Sequence, residues 1–296
     1  MSPLWRHRMR WLSVTFLGFL ICFIPQRALG QSNEGKIALS LGTDASHAYF
    51  FRGIKNERKG LIVQPYAEVS FSLLEKDEGL NSVKLLIGQR NSLHSAPSGS
   101  PETSSYTGIR QRDQTLATWY ESDFFSGIAL GIENWKADIT YASYLSPNHS
   151  FGTVQELSFT LTMDDREFFL VPIEPHVGLA IELDGQSDRG SSEGVYFELG
   201  IKPRLELLDG VTSIKFPVTL GLSLSNYYEN GAGLDNTFGY FDIGAVASLP
   251  ITAPRSFGEW ELTGGVHLLA LGGYLETINN GDQLQAVGSI GFHIRY

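Results

Sequence analysis

The sequence predicts an all-β protein, a twelve-stranded antiparallel up-and-down transmembrane β-barrel. Three observations predict it: a terminal segment with strict alternation, a series of similar segments along the chain, and short turns that alternate with longer loops. The terminal segment carries its apolar side chains on one face, at Leu284, Ala286, Gly288, Ile290, Phe292, Ile294 and Tyr296. A strand that faces lipid needs this period of two, because every second side chain contacts hydrocarbon while the others face a polar interior.

The first half of the chain predicts six strands. Residues 37–53 alternate between apolar and small or polar side chains, and we expect one long strand that bends near its outer end. Further strands are predicted at residues 61–73, 83–90, 115–132, 135–141 and 156–163. Segment 91–114 is rich in Ser, Gly, Pro and Thr and lacks periodicity, so it is predicted to be a long loop. We expect this loop to be extracellular, opposite both termini.

The second half predicts six more strands. A tight turn at 164–166 precedes a strand at 169–183, and the pair Asp209-Gly210 is a strong hairpin signal. The remaining strands are predicted at residues 195–207, 214–224, 238–249, 260–274 and 284–296. An even number of strands with short turns at one end is the barrel pattern, although the connection at 250–258 is longer than that pattern predicts. The alternative, a soluble two-sheet sandwich, would not need such long and regular apolar faces.

The aromatic residues predict two girdles at the edges of the membrane. Trp135 and Trp260 have the apolar parity and lie next to predicted periplasmic turns. Tyr228 and Tyr274 have the same parity at the opposite ends of their strands. Because amphipathic rings prefer the level of the lipid headgroups, this placement favours a barrel over a sandwich.

The N-terminus predicts a secretory signal peptide. Three arginines precede an apolar run over residues 11–25, and Ala28 and Gly30 then supply small residues for signal peptidase. A run of about 15 apolar residues is shorter than the roughly 20 that a spanning helix needs. We therefore expect residues 1–30 to be removed and residues 31–296 to form the barrel domain. The only cysteine, Cys22, lies in the signal, so no disulfide is expected in the mature chain.

The charge of the chain excludes some partners. The net charge is −10, and residues 1–30 contain four arginines and no acidic residue, so the mature chain has 18 basic against 32 acidic side chains. A surface with this excess of acid repels nucleic acid and anionic headgroups. We therefore expect no nucleic-acid partner.

Three stretches carry a resemblance to a known family. They are Ala48-Tyr49-Phe50-Phe51-Arg52-Gly53-Ile54, the aromatic-rich strand at 119–132 and the terminal strand. With them the whole mature chain resembles the porins of the TorF type and related bacterial outer-membrane barrels. The resemblance implies an outer-membrane location, solute passage and no catalytic motif. The terminal strand also resembles the signature that the barrel-assembly machinery reads, with Tyr296 where phenylalanine is usual.

The positions of the histidines do not indicate a catalytic site. The twelve-stranded outer-membrane phospholipase has a Ser and a His on its lipid-facing surface, whereas His176, His267 and His293 here have the inward parity. His47 has the outward parity without a nearby outward serine, and His94 and His149 are too scattered for a metal site. We expect neither a metal nor a cofactor.

The inward face carries the candidate functional residues. These candidate pore-lining residues are Arg52, Glu68, Lys84, Arg90, Glu121, Asp123, Glu174, His176, Glu182, Glu198, Lys202, Arg204, Asp242, His267 and His293. Inward acids outnumber inward bases, which predicts a modest cation preference. Arg52 follows the aromatic cluster of the first loop and is expected to pair with a carboxylate near the outer mouth, or else to be an exposed loop-edge residue.

These residues favour one function and leave two alternatives open. They predict a narrow porin that passes small hydrophilic solutes, with outer-membrane lipid and the barrel-assembly machinery as partners. A barrel of about eight strands is filled by side chains and one of about sixteen leaves a channel, so twelve strands do not decide the matter. A closed structural or adhesive barrel is the first alternative, and an outer-membrane enzyme of the phospholipase type is the second.

Overall fold

The chain folds into one closed antiparallel β-barrel of twelve strands, which confirms the predicted fold class. The structure is a computed structural model and describes residues 35–58, 60–95, 117–188, 190–207, 211–230 and 232–296. The predicted signal peptide, most of the predicted loop at 91–114 and the pair Asp209-Gly210 lie outside the described residues. Among the described helices, none is long and apolar enough to cross a membrane.

The described residues form sixteen strands, one short helix and one 3₁₀ turn. The strands of the first half are β1 (Ile37–Ser46), β2 (Tyr49–Phe51), β3 (Ile54–Glu57), β4 (Ile62–Glu75), β5 (Leu80–His94), β6 (Trp119–Ile132), β7 (Trp135–Leu145) and β8 (Val154–Met163). Those of the second half are β9 (His176–Asp184), β10 (Val195–Ile201), β11 (Arg204–Leu207), β12 (Thr212–Lys215), β13 (Val218–Ser225), β14 (Phe238–Ile251), β15 (Glu259–Leu271) and β16 (Leu284–Arg295). The 3₁₀ turn is Arg255–Phe257 and helix α1 is Gly273–Ile278.

The first and last strands close the barrel. Strand β1 pairs with β16, and Leu39 and Tyr296 exchange two backbone hydrogen bonds of 2.7 and 2.8 Å. Two pairs of short strands each form one barrel strand: β10 continues as β11, and β12 continues as β13. Pro203 and Pro217 lie at these breaks because proline has no N–H to donate to the ladder. Among the described barrel strands, only β11 has a single strand neighbour, and on its other side the N–H of Arg204 donates to the backbone oxygen of Pro172.

The connections alternate as predicted, so the barrel has a turn end and a loop end. The turn end holds both ends of the barrel chain and the connections after β4, β6, β8, β11 and β14. The loop end holds the connections after β1, β5, β7, β9, β13 and β15. The connection at 252–258 is long, as the sequence indicated, and contains the 3₁₀ turn.

The apolar parity faces outward. Phe124, Leu199 and Ile290 are 49%, 46% and 66% exposed, although they are large apolar side chains in the middle of a sheet. The residues between them face the lumen, for example Asp123, which is 7% exposed. This arrangement is what a hydrocarbon environment requires, and it confirms the faces that the sequence predicted.

In three of the predicted strands, a separate element takes up part of the predicted length. The first ends at Ser46, and the residues after it form the separate hairpin β2–β3. The seventh begins at His176 rather than Phe169, because residues 164–175 form an ordered turn. The buried carboxylate of Asp165 holds that turn by accepting the backbone N–H groups of Ile173 and Glu174. The eleventh ends at Leu271, before helix α1.

One predicted aromatic girdle is present and the other is wrong. Trp135 is 40% exposed at the turn end, and Trp260 packs edge-on against the outward ring of Phe292. Tyr228, in contrast, is fully buried inside the barrel, and Tyr274 lies in helix α1 and packs against the same interior cluster. The parity rule failed for these two because they lie beyond the ends of their strands, where alternation no longer applies.

Candidate functional site

The hairpin β2–β3 folds into the barrel lumen, and we call it the inner hairpin (residues Tyr49–Glu57). Phe51 pairs with Ile54, so Arg52 and Gly53 are the two turn residues. Both have positive φ angles, 48° and 79°. A two-residue turn with φ > 0 at both positions is type I′, which matches the twist of the strands it joins. A left-handed backbone conformation costs free energy for arginine, and such strain persists only where surrounding contacts hold the residue in place.

Arg52 supplies those contacts. Its guanidinium donates two hydrogen bonds to the carboxylate of Glu156 on β8, at 2.5 and 2.8 Å, and a third to the hydroxyl of Tyr227 at 2.7 Å. The guanidinium carbon also lies 4.4 Å from the ring centre of Tyr196. The side chains of Arg52 and Glu156 are only 16% and 2% exposed. The predicted pairing of Arg52 with a carboxylate is therefore present, as a buried bidentate ion pair.

Aromatic side chains pack around the turn of the inner hairpin. The buried cluster at the loop end consists of Ile54, Ala180, Tyr196, Tyr227, Tyr228, Tyr240, Leu269, Leu271 and Leu275. The hydroxyl of Tyr228 donates to the backbone oxygen of Arg52 at 2.9 Å. A Cβ atom on Gly53 would lie 2.8 Å from Leu275 of helix α1, so only glycine fits there. The inner hairpin and helix α1 together fill the loop end of the lumen.

The first strand of the inner hairpin also contacts the barrel wall. Tyr49 donates to Glu121 of β6 at 2.8 Å. The rings of His94 and Tyr120 stack beside it with centroids 4.6 Å apart. At the base of the hairpin, Arg58 pairs with Asp282 at 2.5 Å. Contacts with two barrel strands and with the connection before β16 therefore hold the hairpin in the lumen.

A cavity of about 730 Å³ lies in the lumen against the inner hairpin, and we call it the central cavity. Its lining includes the turn of the inner hairpin and inward side chains from most of the barrel strands. Five carboxylates and two guanidinium groups line it, those of Asp44, Glu68, Asp123, Glu156, Asp242, Arg52 and Arg90. His267 also lines it and contacts Asp242 at 2.8 Å. The cavity is therefore polar and has more acidic than basic groups.

The central cavity brings together six of the candidate pore-lining residues, which are Arg52, Glu68, Arg90, Asp123, Asp242 and His267. Glu121 lies outside the cavity lining and accepts a hydrogen bond from Tyr49, which does line it. His293 lies further along the lumen, where Tyr66 and Thr263 contact its ring at 3.0 and 3.1 Å. His176 lies 3.6 Å from Glu198, which accepts a hydrogen bond from Tyr196. Their role as pore-lining residues stays a prediction.

The remaining candidates lie away from the central cavity. Lys84 is an exposed inward residue of β5, and Glu182 is buried under a loop, where it accepts the N–H groups of Ser187 and Gly194. Glu174 belongs to the ordered turn rather than to a strand. Lys202 lies at the break before β11, and Arg204 on β11 contacts Glu206 at 3.6 Å. Alternation assigned a face to each of these residues but could not place them along the barrel axis.

The sequence did not reveal the tyrosines that hold Arg52. Tyr227 and Tyr228 lie at the predicted end of a strand, where Tyr228 was expected in the outer girdle. Tyr196 and Tyr240 are single aromatic residues on the inward parity of their strands. One signal was present: Arg52-Gly53 between aromatic and apolar residues suits a tight hairpin turn. Within the described residues, no three His, Cys, Asp or Glu side chains are placed to hold a metal ion.

A second group of carboxylates orders a connection at the loop end. Glu229 accepts hydrogen bonds from the backbone and hydroxyl of Ser191 and from the backbone of Ser192, and the bonds from Ser191 hold its pKa below the ordinary value. Asp188 accepts the N–H groups of Gly190 and Glu229 and is 3% exposed. Burial, with a smaller effect from the charges of Glu182 and Glu229, raises the pKa of Asp188 to about 7.

We expect this connection to be more stable in acid than in base. A carboxyl group whose pKa is raised by folding stabilises the fold fully below its unfolded pKa, and that contribution is lost as the pH rises through about 7. Hydrogen exchange of Gly190 and Glu229, corrected for intrinsic rates, should show about 1 to 2 kcal/mol more protection at pH 5.5 than at pH 8. The variant Asp188→Asn should lose this difference, and the exposed-site control Glu193→Gln should keep it. Equal protection of the wild type at both pH values would contradict the expectation.

The fold and this site define a class of protein. A closed antiparallel barrel with an apolar outer face, a polar lumen and an inner hairpin is a transmembrane β-barrel of the outer-membrane type. No protein-family profile matches the chain, and no curated protein matches its sequence.

Several solved outer-membrane barrels are similar in fold. An outer-membrane channel from Pseudomonas putida F1 has 9% identity and a TM-score of 0.48, covering 92% of this chain and 100% of its own. The translocator domain of the autotransporter NalP from Neisseria meningitidis has 13% identity and a TM-score of 0.44, covering 90% of each chain. The porin NanC has 9% identity and a TM-score of 0.43, covering 87% of this chain and 98% of its own. At such identities the likeness concerns the barrel fold alone.

Proposed function

We propose that the protein is a narrow outer-membrane channel for small hydrophilic solutes. The observation that supports it is the polar central cavity of about 730 Å³ inside the barrel. A barrel that served only as a scaffold would have no need to keep a charged, unfilled space of this size in its lumen. The inner hairpin lies beside the cavity and narrows the lumen, which would limit passage to small molecules.

The closed structural barrel remains the second candidate, and a specific observation favours it. Tyr196, Tyr227, Tyr228 and Leu271 are at most 2% exposed, so the loop end is packed as densely as a protein core. If that packing persists in the membrane, no solute passes. The two candidates differ in whether the inner hairpin leaves a path along the wall or moves to open one.

Conductance of the refolded full chain in a planar bilayer tests the proposal. We expect small discrete steps for the wild type, and larger steps when residues 49–57 are replaced by a short Gly-Ser linker. The control is Lys136→Ala, which removes an exposed side chain paired with Asp138 away from the inner hairpin. Steps in the linker variant but none in the wild type would establish the closed barrel. The absence of conductance steps in both the wild type and the linker variant would exclude a channel.

The proposal includes the location, partners and family resemblance that the sequence predicted. The apolar outer face supports insertion in the outer membrane with lipid as its partner. The pairing of β16 with β1 supports a role for the terminal strand in barrel assembly. The TorF-type resemblance rests on the three stretches of sequence that carry it.

A further inference from the structure

The charges of the central cavity do not balance. Glu156 accepts hydrogen bonds from both terminal nitrogens of the Arg52 guanidinium, so this pair is neutral. The other four carboxylates are those of Asp44, Glu68, Asp123 and Asp242, and the only other basic side chains in the lining are Arg90 and His267. Outside the lining, His293 lies 3.5 Å from Asp44. Among the described residues no lysine lines the cavity. The cavity therefore has a negative potential that a positive ligand would neutralise.

Two of these carboxylates have an oxygen without a partner. Asp123 is 7% exposed and shares a side-chain hydrogen bond with the neighbouring carboxyl group of Glu121, while its buried Oδ1 accepts no hydrogen bond. Asp242 uses Oδ2 for His267, and its buried Oδ1 also lacks a partner. Buried polar atoms are almost always satisfied, and an unsatisfied carboxylate oxygen is among the most costly exceptions. A ligand that enters the cavity with a hydrogen-bond donor could satisfy these two oxygen atoms.

Six aromatic side chains also line the cavity. Tyr49, Phe50, Phe51, Phe125, Tyr144 and Tyr240 line the same cavity. A hydrated inorganic cation gains little from such walls, whereas an organic ammonium can place its charge over a ring face and its carbon body against the rings. The volume of about 730 Å³ lies within the range of sites for small organic molecules.

We propose that the central cavity is a binding site for small organic cations, molecules that carry an amine or guanidinium group on an apolar or aromatic body. Asp123 and Asp242 hold the cationic group, and the aromatic side chains hold the body. The inference names the solute class of the proposed channel and in that sense rests on the proposed function.

Titration calorimetry of the refolded full chain in micelles tests the inference without requiring conduction. The probe is phenethylamine, and its controls are the neutral 2-phenylethanol and the anionic 3-phenylpropionate. We expect saturable binding of phenethylamine that is at least about tenfold tighter than that of either control, because only the cation meets the carboxylates. Equal affinity for the three compounds, or no binding of the amine, would overturn the inference.

Variants connect the binding to the assigned carboxylates. Asp123→Asn and Asp242→Asn should each weaken phenethylamine binding about tenfold or more. The control is Asp138→Asn, an inward acid of β7 that does not line the cavity, and it should bind as the wild type does. If Asp138→Asn weakens binding as much as the other two, the cation responds to overall charge and the assigned site is wrong. Circular dichroism confirms that each variant is folded.

The same probe in the planar bilayer separates the two proposals. If the barrel binds phenethylamine in micelles but never conducts, the binding-site proposal is supported and the channel proposal is contradicted. If the barrel conducts but neither binds the amine nor is blocked by it, the channel proposal is supported and the binding-site proposal is contradicted. Block by phenethylamine that Asp123→Asn relieves at least about tenfold would support both.

Discussion

Replacing Arg52 with alanine is expected to lower the free energy of unfolding by about 3 to 5 kcal/mol, the usual loss when one partner of a buried ion pair is removed. Glu156 would remain with its carboxylate 2% exposed and without its bidentate donor. The turn would also lose the contacts that hold its positive φ angles. The measurement is equilibrium unfolding of the refolded barrel in micelles or lipid vesicles.

Two further variants isolate the cause of that loss. Arg58→Ala removes the ion pair with Asp282, whose side chains are 35% and 54% exposed, and should cost at most about 1 kcal/mol. The double variant Arg52→Met with Glu156→Met removes both charges and should recover most of the loss, because no charge is then left buried alone. If Arg52→Ala is as stable as the wild type, the inner hairpin leaves the lumen in the membrane.

Arginine at Leu199 is expected to destabilise the membrane-inserted barrel by about 2 to 4 kcal/mol, the cost of a charge on the lipid face near the bilayer midplane. Leu199 is 46% exposed on the outer surface and pairs with Leu220 of β13. We expect the same result for Leu220→Arg. Reversible unfolding from lipid vesicles in denaturant measures the loss.

The matched control for the outer face is Thr219→Arg. Thr219 pairs with Gly200 and with Asp242 and faces the lumen, where water and carboxylates can accommodate the guanidinium. The free energy of unfolding should fall much less for Thr219→Arg than for Leu220→Arg. An equal fall would mean that the lipid-facing and lumen-facing sides of the strand are inverted. Gly200, the partner of Thr219 on β10, is unsuitable as a control: a Cβ atom there would lie 2.3 Å from the ring of His176.

Much of the barrel could be predicted from the sequence because lipid imposes a strict rule on every spanning strand. Side chains such as Leu199 and Ile290 contact hydrocarbon, so alternation revealed their strands, their faces and the closure of β1 on β16. The same rule failed at Tyr228 and Tyr274. These residues lie beyond the strand ends, and parity has no meaning once the backbone leaves the pleated conformation.

The candidate site was predicted in composition but not in arrangement. The inward parity of Asp123, Asp242 and His267 was correct, yet nothing in the chain order indicated that they would surround one cavity. The pairing of Arg52 with Glu156 joins residues 104 positions apart. Alternation assigns a face to each residue, whereas the depth of that residue in the barrel depends on strand register and tilt.

The sequence by itself determined the fold class, the twelve strands and the lipid-facing surface, since these follow from a local period of two and from turn chemistry. Only the tertiary structure decided that residues 49–57 leave the wall and fold inward, that Arg52 is buried against Glu156, and that the tyrosines at 227 and 228 pack inside rather than outside. The physical reason is that these features depend on contacts between distant strands, which form only when the barrel closes and brings its inner faces together.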